Sequence, residues 1–480
     1  MRNSCIILVS LLAFLACSPK SGKTLELHSE ADLQGLVIAT SAGTYYDQKY
    51  SQWENVTLLR VNTEADAVQA LKQGKADVFV TDEVALNEQT QKRLNIFQAF
   101  RGEENFDVAF AVRKGDEELV EEMNRFISAS KADGTLDAAI AHWMKGTPAP
   151  EYPSEALKPD AKPFRCITST NLEPICYLGE GGQWLGMDAD VLRRFALWSG
   201  RPFEMKYQEF SSALVALATG QCDVVAACLF VTEERKKSVD FTLPYYKCSP
   251  GYFVRDTGGK AGLSLAERLK MNLLTEQRWK LLADGLLETL KITLLSILLG
   301  TILGVGVCVC RRSKRSWVRS AVGVYEYLVN GMPTLVLLLI MFYVVFAGTG
   351  LNASIVAVIT FALCFASASG GIFDTAISSV PVGQTEAGLS LGFTPFKTFM
   401  GIVFPQALRK GLPLYSSECV SLLKSTSIVG YIAIQDITRA SDLIRSRTFD
   451  ALVPLLIVTV LYFVLAWFLR ILLNLFLNKK

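Results

Sequence analysis

Histidine is nearly absent, with two in 480 residues, and the eleven cysteines include no C-x-x-C pair. Without Cys/His ligand spacing no metal site is expected. No G-x-x-x-x-G-K-[ST] run occurs either, so the chain lacks the loop that cradles nucleotide phosphates and cannot hydrolyse ATP by itself. Charge of one sign is also missing: 48 basic against 46 acidic residues leave a net +2, and nothing overall points to nucleic acid. What charge there is lies unevenly, ordinary up to about Arg278 and scarce afterwards. With half the residues hydrophobic and a mean hydropathy of +0.29, the chain reads as a soluble front and a membrane back.

The opening MRNSCIILVSLLAFLACS has one positive charge, an apolar run and small residues ending at Cys17. This is the layout of an export signal over 1–17, too short to be a spanning helix. Residues 292–310 are nineteen without a charge, long enough to span. Arg311, Arg312, Lys314, Arg315 and Arg319 follow at once, which places that end in the cytoplasm and the preceding region outside. Further apolar runs near 333–347, 353–373, 412–434 and 451–477 bring the expected number of spans to five, with the C-terminus inside. Glu418 and Lys424 fall in the fourth, where ionisable groups are costly and mark function. They line a translocation path or form a structural pair. The stretch LAERLKMNLLTEQRWKLL (265–282), with Trp279, reads as an interfacial helix or an ordinary linker helix.

Residues 147–163, TPAPEYPSEALKPDAKP, hold five prolines in seventeen, a semi-rigid spacer. On either side of it, AVQALKQGKADV (67–78) and ALVALATGQCDV (213–224) share the pattern A-x-x-A-L-x-x-G-x-x-D-V. Each reads as a helix, a glycine turn and a strand opening with Asp-Val, the αβ unit of a parallel-sheet lobe. Two such lobes imply an α/β clamp holding ligand at the carboxyl ends of its strands. Cys166, Cys176, Cys222, Cys228 and Cys248 follow the spacer. They supply one or two disulfides in an oxidising compartment, or act as small core hydrophobes.

Several stretches resemble known families. FLAC resembles the bacterial lipobox, with Phe14 in place of the usual Leu, and implies lipid attachment at Cys17. QTEAGLSLGFTPFKTFMGIVFPQALRKG (384–411) resembles the EAA loop of ABC importer permeases through Glu386, Ala387, Gly388, Gly392, Ile402 and Pro405. The resemblance implies a knob that seats in a cytoplasmic ABC ATPase dimer. ATP would be used by that partner, and no cofactor would be bound by this chain. Over roughly 284–477 the chain resembles permeases of the polar amino-acid uptake family. This implies an all-α transmembrane domain, a second copy of the chain in a homodimer, and a multi-pass place among the lipids of the bacterial inner membrane with the front domain outside.

VTEERKKSVDFTLPYY (231–246) and TDEVA (81–85) resemble runs of type II amino-acid solute-binding proteins. The resemblance makes Arg235 the partner of a ligand carboxylate and Asp82 that of its ammonium, chemistry suited to a guanidinium fork and a carboxylate. Phe210 keeps an aromatic wall, while Ser169, Thr44, Tyr45 and Phe230 occupy further pocket positions. Because Phe230, Ser169 and Leu172 depart from the family's more polar or aromatic residues there, the pocket is read as more apolar and unfavourable to strongly cationic ligands. The lobe expected second comes first, so the domain resembles a circularly permuted clamp whose spacer joins the former ends. The expected division is a signal (1–17), second lobe with closing helices (26–146), linker (147–163), first lobe (164–256), linker (257–283) and permease (284–480). Import of a polar amino acid by a non-enzymatic transporter subunit is the expected function. A ligand-gated sensor or channel is the alternative, although no T-V-G-Y-G-like filter is present.

Overall fold

The computed structural model describes residues 25–153, 158, 161–257, 263–347 and 349–478. Cys17 and the rest of the export-signal region lie outside them, as do 154–157 and 159–160 of the spacer. The front of the chain carries β1 (Val37–Ser41), β2 (Thr57–Val61), β3 (Val78–Asp82), β4 (Ile96–Arg101), β5 (Phe106–Val108), β6 (Ala111–Arg113) and β7 (Phe164–Thr168). After these come β8 (Tyr177–Leu178), β9 (Trp184–Leu185), β10 (Phe203–Tyr207), β11 (Val224–Ala226), β12 (Val239–Phe241), β13 (Tyr246–Cys248) and β14 (Pro250–Arg255).

Two five-stranded sheets form, in the orders β2-β1-β3-β14-β4 and β10-β7-β11-β6-β12. In each, three parallel strands are extended by two antiparallel pairings, so that only β14 and β6 run against the rest of their sheets. The chain passes from the first sheet to the second through β5 and back through β13, and these two strands pair antiparallel. The lobe built on the first of these sheets contains Asp82, and the other contains Arg235. Each sheet takes a strand from both sides of the spacer, so 26–146 and 164–256 interleave into one two-lobed unit. One boundary changes accordingly: β14 pairs with β3 and β4, so the end of segment 164–256 belongs to the Asp82 lobe. Both ends of the spacer lie in the Arg235 lobe, where the Arg194 guanidinium donates to the carbonyls of Pro150 and Glu151, each at 2.7 Å.

The repeated pattern has a physical basis. Helix α1 (Tyr45–Ser51) and helix α2 (Glu64–Lys72) belong to the Asp82 lobe, and α3 (Phe210–Ala218) to the other. After α2 and α3 the chain turns at Gly74 (φ +67°) and Gly220 (φ +74°), left-handed positions that glycine takes without a Cβ penalty. The aspartate that follows pins the neighbouring strand. Asp77 accepts from the Val37 N–H at 2.9 Å, and Asp223 accepts from the Arg165 N–H at 2.9 Å. The five cysteines after the spacer are buried and free, filling core space rather than forming disulfides.

Behind the clamp come α4 (Trp279–Arg311), α5 (Ala353–Ser378), α6 (Val382–Ser390), α7 (Phe404–Ser425), α8 (Ile437–Thr448) and α9 (Leu452–Asn478). Among the described residues, Trp279–Arg311, Ala353–Ser378 and Leu452–Leu473 are long and apolar enough to cross a membrane. A fourth span is added if Ser316–Asn330 and Thr334–Val345, bent by 102°, count as one. Length and apolarity thus single out three or four spans, not five. The run at 333–347 is half of a broken pair, and 412–434 divides between polar-studded α7 and a 3₁₀ stretch, Thr426–Ile432. Helices α4 and α5 approach closely because small residues meet: a Cβ on Gly304 would lie 2.1 Å from Ser369 Oγ, and one on Gly300 would lie 2.9 Å from the Ala362 carbonyl oxygen. Before α4 the backbone breaks at Glu276 and Gln277 (φ +54° and +52°). The stretch 265–282 is therefore not one continuous helix, and Trp279 opens α4 half exposed.

Candidate functional site

The carboxyl ends of the parallel strands in both lobes face a common cleft of about 240 Å³. All seven residues expected to bind ligand line it: Thr44, Tyr45, Asp82, Ser169, Phe210, Phe230 and Arg235. Asp82 closes β3 and accepts from the Tyr46 hydroxyl at 2.8 Å. Burial pushes its carboxyl up to about 6, against the opposing pull of the Tyr46 hydroxyl, the Cys228 thiol and Arg235. Across the cleft, Arg235 Nη1 donates to the Phe230 carbonyl at 3.1 Å, and its guanidinium lies 5.2 Å from the Phe210 ring centre. The two charged groups make no ion pair with each other among the described residues, so each presents free hydrogen-bonding capacity to the cleft.

The other expected residues have more local roles. The Thr44 hydroxyl donates to the Ser41 carbonyl at 2.7 Å and accepts from the Asp47 N–H, capping α1. Tyr45 turns its hydroxyl toward Glu104 at 3.3 Å and tilts its ring on Phe106. Phe230 stacks on Phe106 with centroids 4.6 Å apart, so it acts through its carbonyl, by aiming Arg235, as much as through its ring.

The expectation of a simply apolar pocket is corrected. Glu64, Glu209, Tyr46 and Tyr207 also line the cleft, and sequence reasoning passed over them. Glu64 is the first residue of α2, behind the Thr63 cap, so a T-E-A-D helix start after β2 was the available signal. Tyr207 and Glu209 carried none, because only the tertiary fold turns the end of β10 toward the other lobe.

Helix α8 of the membrane part lies along the rim of the cleft and touches both lobes. Arg445 pairs with Asp66 of the Asp82 lobe at 2.7 Å. Arg439 pairs with Glu209 of the Arg235 lobe at 3.7 Å and stacks 4.4 Å above the Tyr207 ring. Asn171 donates to the Leu443 carbonyl at 2.8 Å and to the Ser446 hydroxyl at 3.1 Å. Asp436 caps this helix by accepting from the Arg439 N–H at 2.9 Å. Just beyond it, Phe449, left-handed at φ +55°, buries its ring in the apolar core of the Asp82 lobe beside Leu172.

The loop at 384–411 sits at the opposite end of α4 and α5, beyond Ser378, where Lys410 donates to the Ser379 carbonyl at 2.7 Å. Helix α6 presents Glu386 and Ala387 to solvent and ends at Gly392 (φ +85°). Gly388 is buried against the next helical segment, and a Cβ there would lie 2.5 Å from Thr398 Cγ2 and 3.0 Å from Ile402 Cδ1. Pro405 stands in the first turn of α7. Farther along α7, Glu418 is half-buried and Lys424 exposed, and they form no ion pair with each other or with any other described residue.

Asp82 makes a pH-dependent prediction. Its folded value of about 6 lies above the ordinary 3.8, so the folded state holds a proton more tightly than the unfolded one, and stability falls as pH rises from about 4 to about 6. Asp82→Asn removes that penalty while keeping an acceptor for Tyr46. At pH 7.5 the ligand-free variant should be more stable than the parent by on the order of 2 kcal/mol, and at pH 4 by nothing. Thermal unfolding at the two pH values checks this; a variant less stable than the parent at pH 7.5 contradicts it.

The family profile of bacterial extracellular solute-binding proteins, family 3, matches residues 164–387. That of the binding-protein-dependent transport system inner membrane component matches 296–479, and residues 25–146 lie outside both. The L-cystine transport system permease protein TcyB of Bacillus subtilis (strain 168) is 33% identical over 196 residues, 41% of this chain and 84% of that protein. The probable amino-acid ABC transporter permease protein YckA of the same organism is 31% identical over 179 residues, 37% of this chain and 79% of that protein. Among solved structures, one described as an amino acid ABC transporter with histidines aligns with a TM-score of 0.41 and 28% identity, covering 46% of this chain and 100% of that one. These relatives are transport permease subunits rather than enzymes. The chain belongs to the family of binding-protein-dependent transport system inner membrane components, and it carries in one polypeptide a solute-binding domain of extracellular family 3.

Proposed function

We propose that this chain captures a polar amino acid outside the bacterial inner membrane and passes it inward, driven by ATP hydrolysed on a separate cytoplasmic ATPase dimer. The observation that carries the reading is the placement of Arg235 and Asp82 on opposite lobes of one cleft, next to membrane helices. A guanidinium fork suits a carboxylate and a carboxylate suits an ammonium, so the pair is complementary to the α-groups of an amino acid. The names of the relatives agree in ligand class. In this reading the loop 384–411, with Glu386, Ala387 and Gly388 at its tip, engages the ATPase. The bent pair and α7 complete five crossings, and Glu418 and Lys424 of α7 lie along the path. Two copies of the chain form the channel. An export signal ending at Cys17, lipid-modified there, holds the start of the chain outside. The lobes stand in permuted order, which is supported by the family profile beginning at 164, where the spacer ends.

Tethering makes delivery intramolecular and raises the local concentration of loaded clamp at the pore. The test is to purify the full chain in lipid nanodiscs and titrate it with the twenty amino acids by calorimetry, then to measure uptake into vesicles with and without a co-expressed ATPase. Saturable binding to a subset and ATP-dependent uptake are expected. A folded chain that binds none of the twenty sinks the proposal.

A further inference from the structure

The cleft holds more acid than the α-groups of an amino acid require. Four charged side chains line it: Arg235, Asp82, Glu64 and Glu209. In the reading above, Arg235 and Asp82 meet the ligand's carboxylate and ammonium. Glu209 already faces a cation, Arg439 of α8. Asp66, two residues beyond Glu64, is likewise engaged by Arg445. Among the described residues Glu64 has no such partner. The charged groups that bear on it are Asp82 from β3 and Asp66 from its own helix, both acids, with the Ser41 hydroxyl of β1 beside it and the Tyr207 phenol of β10 facing it.

A half-buried carboxylate among other acids is unfavourable in its charged form, and burial pushes the Glu64 carboxyl up to about 7. With Arg235 and Asp82 balancing each other and Glu209 balanced by Arg439, the ionised empty cleft carries one uncompensated negative charge. A neutral amino acid leaves that charge in place, whereas a cationic side chain removes it. The walls favour the same ligand: Tyr45, Tyr46, Tyr207, Phe210 and Phe230 line the cleft, and aromatic faces attract cations.

Resting on the amino-acid reading above, we propose that Glu64 is a specificity-determining residue that selects amino acids with a cationic side chain, whose guanidinium or ammonium meets Glu64 while the α-groups meet Arg235 and Asp82.

The test compares L-arginine with L-citrulline, which has nearly the same shape but no side-chain charge, on the full chain in nanodiscs at pH 6 and pH 8. Arginine is expected to bind more tightly at pH 8, and Glu64→Gln to weaken it by roughly 10- to 100-fold, the range for a hydrogen bond to a charged group. Citrulline binding should change by no more than about threefold, within the ordinary scatter of a lost neutral contact, which also shows that the variant folds. In the parent, the arginine-to-citrulline ratio should grow from pH 6 to pH 8 as Glu64 ionises. Asp82 must ionise for both ligands, so the ratio isolates Glu64, and the growth should vanish in Glu64→Gln. Equal affinity for the two ligands at both pH values, with Glu64→Gln without effect, overturns the inference and leaves the amino-acid reading standing. A chain that binds neither ligand, nor any other amino acid, overturns that reading as well.

Discussion

Replacing Arg235 by alanine is expected to abolish ligand binding at millimolar concentration while leaving the fold intact. The guanidinium is aimed before any ligand arrives: Nη1 donates to the Phe230 carbonyl, the plane lies near the Phe210 ring, and the Arg235 N–H donates to the Thr232 hydroxyl at 3.3 Å. A side chain already ordered loses little entropy on binding, so most of the interaction energy of its fork with a carboxylate reaches the affinity. Losing two charge-assisted hydrogen bonds costs about 3–5 kcal/mol, roughly a 10²- to 10⁴-fold rise in Kd. No ion pair with Arg235 is broken in the ligand-free cleft, but the guanidinium eases the buried Asp82 carboxylate, so the folded alanine variant should unfold at a somewhat lower midpoint at pH 7.5. Arg235→Lys restores a point charge without the fork and should recover only part of the affinity. Calorimetry with the tightest-binding amino acid decides: a Kd for Arg235→Ala within threefold of the parent would falsify the carboxylate assignment.

The second large effect is expected at the other end of the molecule. Gly388→Ala should leave ligand binding unchanged and remove most ATP-driven uptake. The added methyl would sit 2.5 Å from Thr398 Cγ2, and Thr398 is fully buried. The buried Thr398 side chain cannot swing clear into solvent, and overpacking of this kind costs about 1–3 kcal/mol. The two halves of the loop must then separate, changing the shape offered to an ATPase. Among the described residues the buried Thr398 hydroxyl has no hydrogen-bond partner, so removing it is inexpensive. The double variant Gly388→Ala/Thr398→Ala should therefore recover uptake, an interaction that only contacting residues show. Full uptake by Gly388→Ala alone would mean that this close approach is unimportant for coupling. Alanine is the residue the resembled loop carries at this position, and only the packing reveals that the exchange is not neutral here.

Features written in short stretches were legible. The A-x-x-A-L-x-x-G-x-x-D-V repeat is self-contained, since helix, left-handed glycine and strand-pinning aspartate all act within a dozen positions, and it placed both lobes and their strand ends. Asp82 and Arg235 came from the resemblance of TDEVA and VTEERKKSVDFTLPYY to solute-binding proteins, two contiguous runs that stand just after those units. Gly392 was legible as the glycine of the EAA-like run, another contiguous motif. The apolar runs located the membrane part, but hydropathy carries no information on bending, so with the 102° break and the polar α7 length and apolarity mark only three or four of the five expected spans. The acidity of the pocket is not written at the expected contact positions, because it arrives on residues from elsewhere in the chain. Glu64 and Glu209 enter the cleft from different lobes; a helix start marks Glu64, and nothing in its neighbours marks Glu209.

By itself, the sequence determined the division into clamp and membrane part, the paired αβ units, and the absence of a nucleotide-binding loop of its own, because each depends on local periodicity or on a contiguous motif. Only the tertiary structure decided which acids share the cleft, that β14 completes the Asp82 lobe, and that α8 grips both lobes through Arg445 and Arg439. The Arg445–Asp66 contact joins residues 379 positions apart. Such a pairing is set by how two sheets, a hinge and a helix bundle come together, and no local preference of either residue encodes it.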